Sequence, residues 1–560
     1  MTRSMTLRQR GVLLALLAAF FLTISGSWAT DAESKPRPAS QDNFAEVQLL
    51  TFNDFHGNLE PVSTSLPGCP TAGGAAYLGA YLDLYEQQNP DGTIRVHAGD
   101  SVGGSPLISS YFHDEPTIEA MNLMELDVGT LGNHEFDEGA QEMLRLIDGG
   151  QRSDEGAFKI GPDGEPINTS DPDFAGADFP YISANVVYAD TGELVLDPYT
   201  IVERDGVKIG FIGVTTPETE QIVVPDAVAP FDFLDISDTV DRYTAELQEQ
   251  GVETIVVLAH SGAGQTGSNK ATGEIITETR QMNDEVDVVV AGHSHSRLNA
   301  KVDGKLVVQA YSYGTAFADV DLVINRETGD VVKSSAEIVR TCTDGVEPDP
   351  ELAALVAEYQ AAIEPIANRV VGTAGEPITR ESTAAGESAL GDLIADAQRT
   401  FAGADFAFMN PGGIRANIEA GEVTYAELFA VQPFDNGLVT MDLTGEQVYR
   451  LLEQQFRADG GSTILQVSGL EYTYNPSNPV GSKVTSVTLP DGSTLDPSAT
   501  YTVAVNGFLA TGGDGFTVFE EGQNVQTVGG DLEALEAYIQ GLAQPFTAPD
   551  PFTDPRITTA

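Results

Sequence analysis

The chain has 560 residues, too many for one ordinary hydrophobic core, so at least two domains are expected. Apolar residues make up 41%, and the 57 Gly and 30 Pro are scattered, which suits a loop-rich α/β protein and excludes a disordered one. A net charge of −56 repels nucleic-acid polymers and anionic membranes. An anionic substrate would need a local positive centre, such as bound metal ions.

At the start of the chain Arg3, Arg8 and Arg10 precede an apolar run over 12–24 and the small-residue pattern Ser27-Trp28-Ala29. That order marks a secretory signal peptide over 1–29. The run of 13 residues is short of the ~20 needed to cross a bilayer. An uncleaved anchor is the alternative. Cleavage removes three arginines, takes the charge from −56 to −59, and leaves an exported chain, periplasmic or extracellular, with no membrane span. Cys69 and Cys342 allow either a disulfide or two buried thiols, and neither sits at a metal-type spacing.

Residues 30–45 are polar and irregular, a linker. Short apolar runs at 47–52, 93–97, 127–131, 208–214, 254–259 and 287–291 then alternate with helix-length segments, which predicts a layered α/β domain over 46–340. Residues 150–178 are rich in Gly, Asp and Pro and are expected to form a surface loop. A polar connector follows. Leu352, Leu355, Val356, Tyr359, Ile363 and Ile366 then recur at helical spacing, so 341–369 is assigned as a connector and linker helix. A second α/β unit spans 370–550.

Five of the seven histidines fall beside the predicted strand ends. Asp54 and His56 follow the run at 47–52, and Asp100 follows 93–97. Asn133 and His134 follow 127–131, His260 follows 254–259, and His293 and His295 follow 287–291. In α/β sheets the carboxyl ends of strands converge on one crevice. Two carboxylates, one amide and four imidazoles there suit borderline divalent ions such as Zn, Mn, Fe or Co. Seven ligands exceed one four-coordinate site and fit two ions bridged by a carboxylate, with Asp100 as the chosen bridge. His97 and His113 fall outside the pattern and are read as structural.

The order Asp-x-His, Gly-Asp, Gly-Asn-His-Glu, a lone His and Gly-His-x-His resembles the calcineurin-like metallophosphoesterases. The stretches 52–57 and 132–139 resemble their 5′-nucleotidase branch, and the resemblance runs over nearly all of the chain after the signal. It implies an α/β/β/α sandwich followed by an α/β substrate domain. It implies that Asp54, His56, Asp100 and His295 hold one metal and that Asp100, Asn133, His260 and His293 hold the other. His134 would stabilise the phosphoryl transition state, with Asp137 orienting its ring. The implied chemistry is attack of a metal-activated hydroxide on phosphorus. With no Gly-x-Ser-x-Gly elbow present, no covalent phosphoenzyme is expected.

In the second unit, Asn410-Pro411-Gly412-Gly413-Ile414-Arg415 is a turn that allows close backbone approach beside an arginine. By composition, Phe434 and Phe508 are ordinary core residues. By resemblance they sandwich a base, with Asn436 and Asp514 hydrogen-bonding base or ribose and Asn410 and Arg415 lining the site. Several relatives carry a second arginine where this chain has Gly386, and Arg380 lies six residues earlier. The resulting expectation is an exported two-metal hydrolase of 5′-nucleotides. A hydrolase of UDP-sugars or cyclic nucleotides, or a secreted nucleotide-binding protein without turnover, are the alternatives.

Overall fold

The computed structural model describes residues 43–560 except 66–67, 155, 157, 161–165, 267–269, 435 and 459. The signal-peptide assignment lies outside the described residues.

The six apolar runs form strands Phe44–Phe52, Thr93–His97, Val128–Thr130, Val207–Thr215, Thr254–His260 and Val286–Ala291. They belong to two six-stranded sheets. In the first sheet Phe44–Phe52, Thr93–His97, Val128–Thr130 and Tyr181–Ile182 run parallel. In the second, Val207–Thr215, Thr254–His260, Val286–Ala291 and Lys305–Ala310 run parallel. Antiparallel strands flank each set; on the first sheet Ala316–Asn325 pairs with Phe44–Phe52 and Val331–Arg340 forms the edge beyond it.

The strands are continuous apolar runs because both faces of each sheet are covered. Leu49, Ile94, Val96, Val128, Ile209, Phe211, Val256, Leu258 and Val288 meet between the sheets. The opposite face of the first sheet packs on helix Ala75–Glu86, and that of the second on helix Ile236–Glu249. The layering is therefore α/β/β/α. The surface loop expected over 150–178 contains a small hairpin, Phe158–Ile160 with Pro166–Asn168.

Helix Pro350–Ala367 is capped by Asp349, whose side chain accepts from the N–H groups of Glu351 and Leu352. Leu352 and Val356 pack with the first domain, while Ile363 joins a cluster with Leu390, Leu393 and Phe429 of the second. The second domain is a five-stranded sheet ordered Gln466–Ser468, Phe406–Met409, Thr500–Asn506, Gly437–Thr444, Gln523–Gly530. Helices Ala389–Ala402 and Asp531–Gly541 pack with it. Cys69 and Cys342 are joined as a disulfide with an S–S distance of 2.00 Å, which resolves the choice the composition leaves open. Among the described residues no helix is long and apolar enough to cross a membrane.

Candidate functional site

The parallel strands of both sheets end at one crevice, and the seven predicted metal residues meet there. The backbone is bent sharply to bring them in. Asp54, His56, Asp100, His293 and His295 all have positive φ, between 47° and 69°. Non-glycine residues are seldom held in this conformation, and where they are, they cluster at functional sites. Two glycines make room. A Cβ on Gly99 would lie 2.7 Å from Gly132 N and His260 Nδ1, and one on Gly132 would strike the Asp100 carboxylate.

His260 Nε2 lies 3.0 Å from Asp100 Oδ2, and His56 Nε2 lies 3.6 Å from the same oxygen. His295 Nε2 is 3.4 Å from Asp54 Oδ1 and 3.1 Å from His56 Nε2. Asn133 Oδ1 sits 2.9 Å from His293 Nδ1. Three overlapping groups of three close ligand atoms result, Asp54–His56–His295, Asp100–His260–His293 and His56–Asp100–His134. The ring Nδ1 of His56 faces Gly103 O at 2.8 Å, and that of His260 faces Ala98 O at 2.8 Å. An Nδ1–H donated to a carbonyl leaves the Nε2 lone pair pointing inward. At His56 that lone pair faces Asp100 Oδ2 and His295 Nε2, where a cation would fit between them. The imidazoles and carboxylates present fit divalent metal.

The charge balance agrees. Burial would raise Asp54 and Asp100, but His295 and His260 outweigh it at Asp54, and His260 and His134 outweigh it at Asp100, so both fall below the usual carboxylate range. Burial holds His56 well below the ordinary imidazole value, and burial with repulsion from His260 takes His293 to about 4. His260 moves the other way, to about 10, because Asp100 and Asp54 overcome its burial. Two ionised carboxylates in this space require positive charge beside them, whether a proton or a metal. His97 is buried among Phe52, Phe179 and Tyr181, apart from the cluster, and burial lowers it to about 3.

His134 sits at the rim, its Nδ1 2.7 Å from Asp137 Oδ2. Burial opposes a charge on the ring, yet Asp137 and Asp100 raise its pKa above the ordinary value. Burial raises Asp137 as well, only partly offset by His134.

A cavity of about 450 Å³ opens from this rim between the two domains. It is lined by Asp100, Asn133, His134, Asp137, His293 and His295 on one side and by Asn410, Arg415, Phe434, Asn436, Phe508 and Asp514 on the other. Asn410 donates from Nδ2 to Asp514 Oδ2 at 3.1 Å and accepts from Asn506 Nδ2 at 3.0 Å. Asp514 adopts a φ of 57°, and burial raises its pKa. Phe508 lies flat against Gly513, where any Cβ would collide with its ring. Phe434 stacks parallel to His134, with centroids 5.8 Å apart and planes at 14°, and the Arg415 guanidinium lies 5.8 Å over its ring. Gly386 has a φ of 90°, and a Cβ there would meet Ile464. Arg380 donates to Ile414 O at 2.9 Å, and burial, with repulsion from Arg415, lowers its pKa.

Residues 48–297 match the calcineurin-like phosphoesterase family, and residues 370–521 match the 5′-nucleotidase C-terminal domain. The chain is 37% identical to cell wall protein Lmo0130 of Listeria monocytogenes, over 88% of this chain and 67% of that protein. The chain belongs to the 5′-nucleotidase family. It is also 36% identical to endonuclease YhcR of Bacillus subtilis, over 93% of this chain but only 42% of that protein's length. A solved 5′-nucleotidase precursor from Thermus thermophilus superposes with a TM-score of 0.76 at 28% identity, covering 92% of this chain and 99% of that one.

Within this 5′-nucleotidase-family site, several residues escaped the sequence reading. Glu135 accepts from Asp100 N at 3.0 Å, Gly132 N at 2.6 Å, Ser101 N at 2.7 Å and Ser101 Oγ at 2.7 Å. It thereby pins the Asp100 and Asn133 turns together. Its place in Gly-Asn-His-Glu was the available signal. Tyr313 packs edge-on against His56 and His295, and Asn506 supports Asn410. Ile222, Val223 and Val224 line the cavity from the first domain, and nothing in their apolar chemistry announced it.

Proposed function

We propose that this chain is an exported, two-metal phosphohydrolase that cleaves 5′-nucleotides to nucleoside and inorganic phosphate. The observation that carries the reading is a single cavity joining the imidazole–carboxylate cluster to an arginine and two phenylalanine rings. Asp54, His56, Asp100 and His295 would hold one ion, and Asp100, Asn133, His260 and His293 the other, with Zn, Mn, Fe and Co all suited to these ligands. When bound, such ions neutralise phosphoryl oxygens and acidify water.

The chain's own residues supply the rest. His134, its Nδ1 tied to Asp137, would present a proton from Nε2 to the phosphoryl oxygens as charge develops. Arg415, with Arg380 behind it, would balance the anionic substrate in a chain that is otherwise strongly acidic. Phe508 and Phe434 would offer ring faces to the base, and Asn410, Asn436 and Asp514 polar groups to base or ribose. The phosphorus–oxygen bond to the ribose breaks, a water oxygen takes its place on phosphorus, and a proton ends on the leaving oxygen. Because Phe434 stacks on His134 across the seam, entry of a base beside Phe434 would require rotation of the second domain about helix Pro350–Ala367 and return to the arrangement seen here. Small-angle scattering with a nucleotide analogue should show a changed envelope, and an unchanged one would count against that rotation.

Export is supported by the signal-like sequence at 1–29, by the Cys69–Cys342 disulfide and by a relative named as a cell wall protein. The test of function is hydrolysis of AMP, a UDP-sugar, a cyclic nucleotide and a polynucleotide, read by chromatography of the products, with divalent metal added. Hydrolysis of AMP is expected. An untouched AMP beside a cleaved UDP-sugar or polynucleotide would overturn the 5′-nucleotide reading.

A further inference from the structure

One wall of the cavity has no part in the chemistry above. Ile222, Val223 and Val224 follow strand Val207–Thr215 of the first domain, yet they line the same space as Asn436, Phe508 and Asp514 of the second. Val223 is extended, with φ −111° and ψ 156°. Val223 is 2% exposed and clusters with Val228, Phe231 and Phe233 in the core, and Ile222 packs partly against the same core cluster. Ile222 and Val224 remain half-buried at the cavity.

This shelf is firmly held. Thr216 N donates to His260 O at 2.8 Å, and Thr216 Oγ1 donates to Glu274 Oε2 at 2.7 Å. Phe233 N donates to Glu220 Oε1 at 3.2 Å. The short helix Thr219–Ile222 packs against the turn Gly513–Gly515 that carries Asp514. The shelf therefore stands at the seam between the domains, at a fixed distance from the metal cluster.

The other end of the cavity presents imidazoles, carboxylates and Arg415, which suit a phosphate. An apolar shelf gives a phosphate nothing, whereas a flat base gains by losing water against it. We propose that Ile222 and Val224 are specificity-determining residues that pack against the base of the substrate, so that a base is gripped by both domains and base-bearing phosphate esters are preferred to base-less ones. The proposal rests on the nucleotide reading given above.

The experiment compares kcat/KM for AMP with kcat/KM for ribose 5-phosphate in wild type, Ile222→Ala, Val224→Ala, the double variant and Ile222→Leu. The AMP-to-ribose 5-phosphate ratio should fall about tenfold in the double variant, mainly through KM for AMP, the scale of losing methylene-sized contacts. Ile222→Leu should keep the ratio near the wild-type value. A ratio that stays at the wild-type value in the double variant, or in Val224→Ala should the double variant not fold, would overturn the proposal. Equal losses on both substrates would do the same, because they would mark a structural role. Adenosine binding by calorimetry separates this from the hydrolase reading. A wild type that releases no phosphate from any ester defeats that reading. Weaker adenosine binding by the variants would still support the shelf, and unchanged binding would overturn it.

Discussion

Glu135 offers the sharpest perturbation, because it is 6% exposed and all four of its partners are donors. In Glu135→Gln one oxygen becomes an amide that cannot accept. Turned toward Asp100 and Gly132, the amide would leave two backbone N–H groups without an acceptor. Turned toward Ser101, it leaves one, since the Ser101 hydroxyl can instead pair with Tyr181 2.9 Å away. The second orientation is the cheaper. One orphaned buried N–H costs about 1–3 kcal/mol, and the two surviving bonds lose roughly 1 kcal/mol each with the carboxylate charge, so a loss of roughly 3–5 kcal/mol is expected. Because the mutated group orients the Asp100 and Asn133 turns, metal affinity should also fall roughly 10–100-fold. Thermal melting of the metal-free protein reads the first effect, and calorimetric titration with a divalent ion reads the second. A variant that melts with the wild type and binds metal equally well would refute the role of Glu135 as the pin between the two turns.

Further outcomes follow from the same geometry. Asp137→Asn should lower kcat roughly 10–100-fold while leaving the metal content intact, since it touches the His134 ring and no predicted metal residue; loss of metal together with activity would contradict this. Burial raises Asp392 to about 8, with Glu387 reinforcing the shift against Arg556. Its folded pKa exceeds its unfolded value, so the stability it confers is complete below about pH 4 and is lost progressively up to pH 8. The melting temperature of Asp392→Asn relative to wild type should therefore climb from pH 5 to pH 8, and a pH-independent difference would refute the shift. With a net charge of −56, self-repulsion opposes the compact state, so adding salt from about 0.05 to 1 M should raise the melting temperature. A flat or falling response would show that repulsion is not limiting.

Most of the first domain could be read from the chain because its strands are buried on both faces and appear as unbroken apolar runs. The antiparallel strands Ala316–Asn325 and Val331–Arg340 were missed, since both carry polar and charged residues among their apolar ones and neither forms an unbroken apolar run. The meeting of imidazoles and carboxylates was legible because these are rare residue types placed just after the unbroken runs. Their left-handed backbone conformations were not, because φ at Asp54 or His295 is imposed by the turns of several strands meeting. The seam between the domains was the least legible part. Phe434 on His134 and the shelf at Ile222 and Val224 join residues more than two hundred positions apart, through apolar side chains that look like any core residue.

The most direct measurement is elemental analysis of purified, metal-reconstituted protein, paired with phosphate release from AMP, on wild type and His134→Ala. Close to two equivalents of divalent metal in both proteins, with release abolished or nearly so in the variant alone, is the expected result. Wild type that binds no divalent metal, or a variant that hydrolyses AMP as fast as wild type, would contradict a metal pair working with His134.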